Sequence, residues 1–265
     1  MVICPYLHDG EDVSVREAFG VGLAATRHIE FDIWQDVHCL GPERAFQFLW
    51  DRHPGRDVVI VHSDMRPMPG RPPGSWYDEL LDYTRRFPEA GILACNLYSP
   101  PRDEESPTSV VQCAGGTLDG GVISHINGRV ASTAGDPGVD PALLTQVRRV
   151  PWATFGGVYI RRAVIDACGP FDDRYQWAYV MDADYCLEAR ARGFEVLQVP
   201  VALQHDESRT TKPLMEARPD LASHIQGNTD LFHDKWRGRH DLFSATAPDD
   251  ASAKGEVQAL PSAHD

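Results

Sequence analysis

The chain has 265 residues, of which 42% are hydrophobic, so it is long enough to bury a full core in one large α/β domain or two closely packed halves. Its formal net charge of -14 argues against a nucleic-acid-binding surface, because phosphate backbones are bound by clustered lysine and arginine. No apolar run approaches the roughly 18 residues that a membrane span needs. The start of the chain also lacks the pattern of a secretory signal peptide, so we expect a cytoplasmic protein.

The amino-terminal part predicts strands that alternate with helices, a pattern typical of a mostly parallel sheet covered on both faces. Apolar runs and periodicity predict strands at 2–4, 29–34, 58–61 and 91–98, and helices at 13–27, 42–50 and 75–87. Pro42 suits the first turn of the second helix, and Ser75-Trp-Tyr-Asp78 has the form of a capping box at the start of the third. We therefore expect an α/β fold.

The carboxyl-terminal part begins with a predicted loop at 99–108, followed by short strands beside Gly115-Gly116 and Asn127-Gly128 and a second loop at 134–141. A later helix ends at Gly193, and an apolar strand follows it. Residues 244–265 are rich in Ala, Ser, Asp and Pro and lack apolar periodicity, which predicts a disordered tail.

The first candidate for chemistry is Asp64, in the segment His62-Ser63-Asp64 directly after the strand at 58–61. Ligands of parallel α/β sheets bind beyond the carboxyl ends of the strands, so Asp64 emerges where a site is expected. The alternative is an aspartate that only caps a turn.

The second candidate is the pair Asp182 and Asp184, at the start of the helix that ends at Gly193. Two residues along a helix correspond to a rotation of about 200°, so the two carboxylates cannot share a face and should have different roles. A helix amino end stabilises an ionised carboxylate, which suits a general base. The alternative is that Asp182 is an N-cap.

The third candidate is His205, which ends the apolar strand that begins near 194. A lone histidine can instead be a structural residue whose ring nitrogens bond to the backbone. Arg209 and Lys212 follow on a loop rich in hydroxyl groups, which could bind phosphate oxygens or form a solvated turn.

Several segments in one order carry a family resemblance. These are the strand ending in His62-Ser63-Asp64, then Gly156-Gly-Val-Tyr-Ile-Arg-Arg, Gly169-Pro-Phe-Asp-Asp-Arg-Tyr, Met181-Asp-Ala-Asp-Tyr-Cys-Leu-Glu-Ala-Arg, Val199-Pro-Val-Ala-Leu-Gln-His205 and Lys235-Trp236. In this order and spacing, residues 58–236 resemble a family 2 glycosyltransferase of the GT-A fold, particularly its rhamnosyltransferase-like and galactofuranosyltransferase-like members. The resemblance implies a Rossmann-like domain over 1–243, with a nucleotide-binding half at 1–64 and a metal and acceptor half at 65–243.

The resemblance also implies a role for each matching residue. Asp64 matches the second aspartate of the family's D-x-D motif, which binds the metal that holds the donor diphosphate, and His205 matches a histidine that completes the metal site. Asp182 matches the general base. Donor or nucleotide contacts are implied for Pro5, Tyr6, Asp36, His62 and Ser63, and acceptor-side contacts for Gly156, Gly157 and Trp236. Asp184 is expected either to support the helix start or to meet the acceptor.

The implied function is a metal-dependent inverting glycosyltransferase that uses Mn²⁺ or Mg²⁺ to move a sugar from a nucleoside-diphosphate donor to an acceptor hydroxyl. Two departures from the family pattern support an alternative, a non-catalytic sugar-nucleotide or carbohydrate-binding protein. His62 replaces the first aspartate of D-x-D, and Met181 replaces the glutamate before the base. A nucleotidyltransferase would need a basic phosphate loop near the amino terminus, where this sequence is acidic. The sugar, the nucleotide, the acceptor, the oligomeric state and peripheral membrane association stay open.

Overall fold

The computed structural model describes residues 1–101, 106–119, 121–133, 136–177, 179–206, 216–218 and 220–244. Arg209 and Lys212 lie outside this part of the chain, as does the predicted tail from residue 245 onward. The predicted loops at 99–108 and 134–141 are described only in part.

The amino-terminal region alternates strands and helices, as predicted: β1 (Val2–Tyr6), α1 (Glu11–Ala18), β2 (Phe31–Gln35), α2 (Pro42–Asp51) and β3 (Val58–Ile60). The predicted helix at 13–27 is wrong in its second half, because α1 ends at Ala18 and only a 3-10 turn follows, at Ala24–Thr26. Gly20 and Gly22 both have positive φ, at 62° and 90°, which breaks the right-handed helix between the two segments.

The middle region contains β4 (Met65–Pro67), α3 (Ser75–Arg86), β5 (Ala90–Tyr98), β6 (Val110–Cys113), β7 (Gly116–Asp119), β8 (Val122–His125) and β9 (Gly128–Arg129). The predicted capping box of α3 is wrong. Gly74 is the N-cap, with a φ of 85°, and no side chain caps the helix. Ser75 lies in the first helical turn instead, and its hydroxyl is buried without a hydrogen-bond partner among the described residues.

The last region contains α4 (Ala142–Thr145), β10 (Arg148–Arg149), β11 (Val158–Ile160), α5 (Arg162–Cys168), α6 (Met181–Ala191), β12 (Glu195–His205) and α7 (Asp220–Lys235). The main sheet has the strand order β10-β12-β5-β11-β3-β1-β2. Strands β3, β1 and β2 pair in parallel, as do β5 and β12, and β11 runs antiparallel between these two groups. The predicted mostly parallel α/β sheet is confirmed.

Each face of the sheet is covered by an apolar layer. Along β1, Ile3 packs with Phe46 and Trp50 of α2 on one face, while Val2 and Cys4 pack on the other face with residues that include Val15 of α1. This alternation follows from the two-residue period of a strand. None of the described helices is long and apolar enough to cross a membrane.

Candidate functional site

Three side chains that could bind a metal ion meet at one edge of the sheet. His62 and Asp64 follow β3, and His205 ends β12. The antiparallel pairing of β4 with β12 places His205 opposite Met65, and the Asp206 N–H donates to the Asp64 carbonyl at 2.9 Å. One ligand atom from each of His62, Asp64 and His205 lies within 4.8 Å of the others. These three residues are called the metal group below.

Hydrogen bonds orient two members of the metal group. His205 Nε2 is 3.1 Å from Asp64 Oδ1, and His205 Nδ1 is 2.6 Å from Gln112 Oε1. The amide oxygen of Gln112 can only accept, so His205 donates to it from Nδ1, and the ring is oriented with Nε2 toward Asp64. Burial pushes the pKa of Asp64 upward, but the hydrogen bond and charge of His205 outweigh it and lower that pKa. Asp64 is therefore ionised at neutral pH.

His62 is held in the group by packing rather than by charge. Its ring stacks on Phe46 of α2 at 5.5 Å between centroids and contacts His205 edge-on at 5.2 Å. Burial, and then the nearby His205, lowers the pKa of His62 to about 4, so the ring is neutral at pH 7. Its Nε2 atom is buried without a hydrogen-bond partner among the described residues. A neutral imidazole with a free lone pair is a suitable metal ligand.

The donor set fits a divalent cation, with the buried unpartnered Nε2 of His62 as the direct structural sign. Two imidazoles and one carboxylate suit Mn²⁺ better than Mg²⁺, because Mg²⁺ prefers oxygen ligands. The prediction treated His62 as a donor-binding residue. The geometry groups it with the two predicted metal ligands instead.

The Gly156-Gly157 turn lies against the metal group from inside the protein. A Cβ atom on Gly156 would lie 3.7 Å from the His62 ring, and one on Gly157 would lie 2.8 Å from Leu203. Gly157 also has a φ of 66°. Both glycines are buried, so the predicted acceptor-side role is corrected: the side chains of Leu97, Met65 and Leu203 pack against the turn and leave little room for a Cβ atom.

Asp182 lies in the first turn of α6 and is partly buried. It is not the N-cap, which is Val180 with a φ of 71°. Its Oδ1 accepts the Ala183 N–H at 2.8 Å, and its carboxylate also bonds to the Thr154 side chain. Burial raises the pKa of Asp182, and the hydrogen bonds and the charge of His125 only partly offset this. The predicted stabilising effect of the helix end is therefore outweighed, and the carboxylate is a stronger base than an exposed one.

One short turn connects Asp182 to the metal group. Thr154 bonds to Asp182, and the next residue, Phe155, bonds through its backbone to the His62 ring. Strand β6 makes a second connection. Its Gln112 bonds to His205, and the neighbouring Cys113 interacts electrostatically with Asp182. Through these neighbouring residues Asp182 is connected to His62 and His205 of the metal group.

Asp184 and Trp236 belong to a buried cluster instead. Asp184 is 3% exposed and Trp236 is 5% exposed. Asp184 accepts hydrogen bonds from Trp236 Nε1 at 2.8 Å and Tyr175 Oη at 2.9 Å, and it pairs with Lys235 Nζ at 2.8 Å. The predicted acceptor contacts of Asp184 and Trp236 are corrected, because both polar groups are satisfied inside the protein. The Lys235-Trp236 motif joins the end of α7 to α6.

The residues predicted to bind the nucleotide lie at the same sheet edge, after β1 and β2. Pro5 and Tyr6 end β1, and the Asp36 N–H donates to the Tyr6 carbonyl at 2.7 Å. Asp36 is 6% exposed; its Oδ2 accepts the Leu40 N–H at 2.7 Å, while its Oδ1 has no partner among the described residues. Ser63 is partly exposed, between two residues of the metal group. Direct contact with a nucleotide stays a prediction for all four residues.

Sequence reasoning missed four residues of this region. Gln112 orients His205, Thr154 bonds to Asp182, His125 acts on Asp182 through its charge, and Glu43 is a buried acid that also interacts with Asp182. Glu43 follows Pro42 in the first turn of a helix, where a solvated acidic residue is common. No motif marks these residues, because they come together only when distant parts of the chain fold.

No protein-family model matches the chain, and no match was found among curated proteins. Among solved structures, the chain resembles a crystal structure of GalNAc-T7 with UDP, GalNAc and Mn²⁺, with a TM-score of 0.50 and 14% identity, over 77% of this chain and 42% of that one. A crystal structure of S. aureus TarS 1–349 has a TM-score of 0.44 and 14% identity, over 92% of this chain and 72% of that one. This chain thus spans less than half of the GalNAc-T7 structure.

At this level of identity the comparison with GalNAc-T7 establishes the fold alone. The mixed α/β architecture, with its large and mostly parallel central sheet, is the GT-A glycosyltransferase fold. Its carboxyl edge carries a His-Asp-His group that could hold a metal ion.

Proposed function

We propose that this protein is a metal-dependent inverting glycosyltransferase that moves a sugar from a nucleoside-diphosphate donor to an acceptor hydroxyl. The observation that carries the proposal is the metal group, with its free His62 nitrogen, beside the basic carboxylate of Asp182. The GT-A fold supports it, and GalNAc-T7 was crystallised with UDP, GalNAc and Mn²⁺. The family 2 assignment is part of the same proposal.

The metal group would hold a divalent cation, preferably Mn²⁺. When bound, such an ion neutralises charge on a departing diphosphate. This help matters in a protein with a net charge of -14, which otherwise repels an anionic donor. Asp64 is the one carboxylate of the group, so a bound divalent cation would keep a net positive charge toward the diphosphate.

Asp182 takes the proton from the acceptor hydroxyl as its oxygen attacks the anomeric carbon. Thr154 and the Ala183 N–H orient the carboxylate for this step. Inversion follows if the acceptor attacks from the face opposite the diphosphate in a single displacement, which needs one base and no protein nucleophile. Burial raises the pKa of Asp182, and this makes the proton transfer more favourable.

The nucleotide would lie along residues 1–64, beside Pro5, Tyr6 and Asp36, with Ser63 near the diphosphate. Arg209 and Lys212 are proposed to meet the phosphate oxygens. The acceptor would enter on the side of residues 65–243, next to Asp182.

A second candidate is a protein that binds a sugar nucleotide without transferring the sugar. The observation in its favour is that His62 and Met181 stand where the resembled family has acidic residues. The structure adds that Met181 is 3% exposed, so its position contributes packing rather than a polar contact.

The deciding experiment measures thermal stabilisation by a panel of nucleoside-diphosphate sugars with and without Mn²⁺, and then sugar transfer or donor hydrolysis. We expect stabilisation that requires Mn²⁺ and is lost in Asp64→Ala. Asp82→Ala, which removes an exposed carboxylate on α3, is the matched control and should behave like the wild type. Metal-dependent stabilisation without turnover would favour the binding protein, and no stabilisation by any donor would rule out both candidates.

A further inference from the structure

A cavity of about 600 Å³ lies between α3 and the sheet, where β3 begins. Its walls are the turn at 55–57, one side of α3, and residues of β3 and β11. The metal group follows the end of β3, whereas this turn precedes its start. Five residues of extended chain, from 57 to 62, span about 16 Å. The cavity is therefore separate from the metal group.

Positive side chains outnumber negative ones in the wall of the cavity. Arg56, Arg85 and Arg161 line it, and Asp57 is the one carboxylate among the lining residues. The chain as a whole carries a formal net charge of -14, so this local excess of positive charge contrasts with the rest of the protein. Clefts lined mainly by one sign of charge concentrate ions of the opposite sign. The charge balance favours an anionic ligand.

Arg161 keeps its full positive charge at the cavity wall. Its Nε donates to the Ala90 carbonyl at 2.7 Å, and its Nη2 donates to the carbonyls of Thr84 at 2.6 Å and Phe87 at 3.3 Å. Its guanidinium carbon also lies 5.7 Å from the centre of the Tyr159 ring. These partners hold the side chain in one place, and none of them is a carboxylate. The Nη1 atom takes part in none of the three hydrogen bonds.

The other two arginines form ion pairs that a ligand can replace. Arg56 is 2.7 Å from Glu30, and Arg85 is 3.5 Å from Asp82. All four side chains are more than 40% exposed, and ion pairs in such surroundings contribute little free energy. A ligand anion can therefore compete for these guanidinium groups.

Asp57 has a structural role in the wall of the cavity. Its Oδ1 accepts the Arg162 N–H at 2.8 Å, and its Oδ2 accepts a hydrogen bond from the Tyr159 hydroxyl. These bonds join the turn before β3 to β11 and to the start of α5. The carboxylate is thus already paired with two donors, which reduces its repulsion of an anion.

The remaining wall of the cavity is largely apolar. Val59 and Tyr159 are paired residues on neighbouring strands, so both side chains point to the face that α3 covers. Tyr77 and Leu81 of α3 lie opposite them. Small-molecule sites commonly have volumes of 300 to 1,000 Å³, with apolar walls and a few polar groups that fix the orientation. An anion with an apolar ring fits this wall better than a bare ion.

We propose that the cavity binds a small organic anion, with its phosphate or carboxylate group at Arg161 and Arg85 and its apolar part against Tyr77, Leu81 and Tyr159. Guanidinium groups bind both kinds of head group through paired N–H donors. The inference does not rest on the proposed function, because no residue of the metal group lines the cavity.

The test is isothermal titration calorimetry of the full chain at low ionic strength, in buffer freed of divalent cations by a chelating resin. Phenyl phosphate and benzoate are the probes, and they distinguish the two head groups. Inorganic phosphate lacks the ring, and benzyl alcohol lacks the charge. We expect phenyl phosphate or benzoate to bind at one site, and the two partial probes to bind at least about tenfold more weakly.

Two arginine variants locate the binding site. Arg85→Gln removes one positive charge from the wall, and its affinity for the better probe should fall by about fivefold. Arg237→Gln is the matched control, because Arg237 is also exposed and also pairs with an aspartate three positions earlier, Asp234. It should bind like the wild type. Leu81→Trp should abolish binding, because the indole would fill the cavity.

Three results would overturn the inference. The first is that neither phenyl phosphate nor benzoate binds, or that benzyl alcohol binds as tightly as they do. The second is that Arg85→Gln and Arg237→Gln have the same affinity. The third is that a folded Leu81→Trp binds like the wild type. If Leu81→Trp does not fold, the two arginine variants decide the question, since both replace exposed side chains.

Discussion

Asp182 and Asp184 are separated by one residue on α6, and burial raises the pKa of both, yet their surroundings differ completely. Asp184 has three protein partners, including the ammonium group of Lys235. Among the described residues, the hydrogen bonds to Asp182 come from backbone N–H groups at the start of α6 and from the Thr154 side chain. The residue after Thr154 bonds to His62 of the metal group. The rotation of about 200° between them directs the two carboxylates into different surroundings.

The comparison shows that the free-energy cost of a buried charge depends on its partners and not on its burial alone. Asp184 joins α6 to α7 because its charge is neutralised by Lys235. Among the described residues no cation is hydrogen-bonded to Asp182, so its charge carries a larger free-energy cost. Four substitutions test this difference.

The largest effect is expected from Asp182→Asn. The amide keeps the shape of the side chain but cannot accept the acceptor proton, so kcat should fall by about 10²- to 10⁴-fold while Mn²⁺-dependent donor binding remains. Steady-state kinetics and a donor-dependent thermal shift measure the two quantities. Unchanged turnover would remove Asp182 from the mechanism.

Asp184→Ala should reduce stability rather than chemistry. It removes the acceptor of two buried donors, Trp236 Nε1 and Tyr175 Oη, and one partner of Lys235, so we expect the free energy of unfolding to fall by about 3 kcal/mol. Urea denaturation measures this change. Lys235 also pairs with Asp172 and Glu188, so Lys235→Met should be destabilising by itself. In a double-mutant cycle the two losses should be less than additive, and strict additivity would contradict the pairing with Asp184.

Trp236→Phe tests the corrected role of the closing Lys235-Trp236 motif. The ring is kept and the N–H to Asp184 is lost, so the free energy of unfolding should fall by about 1 kcal/mol. The KM for the acceptor should stay within about twofold, since Trp236 is buried away from solvent. A large rise in KM with unchanged stability would restore the acceptor-side role that the sequence predicted.

The smallest effect concerns the pH dependence of stability. The pKa of Asp182 is raised in the folded protein, so its favourable contribution is present below the ordinary pKa of an aspartate, about 4. That contribution is lost as the pH rises through the raised value. Asp182→Asn should therefore be more stable than the wild type at pH 7 and nearly equal at pH 4. Urea denaturation at both pH values checks this, and a variant that is less stable at pH 7 would show that the carboxylate stabilises the fold.

Local patterns in the sequence predicted most of the helices and strands. Apolar runs predicted the strands of the sheet, and the family resemblance implied that Asp64 and His205, at the ends of β3 and β12, would belong to one metal site. The order of elements and the position of Asp182 at a helix start also follow from short-range periodicity. These features depend on residues within one or two turns of each other, which is why pattern alone predicts them.

The tertiary structure decided how each polar group is paired, because pairing depends on residues far apart in the chain. It grouped His62 with the metal ligands through stacking on Phe46, and it buried Asp184 against Lys235 and Trp236. It also placed Glu43 near Asp182, with about 140 residues between them. Burial and charge compensation set the protonation of these groups, and neither quantity is contained in a local run of residues.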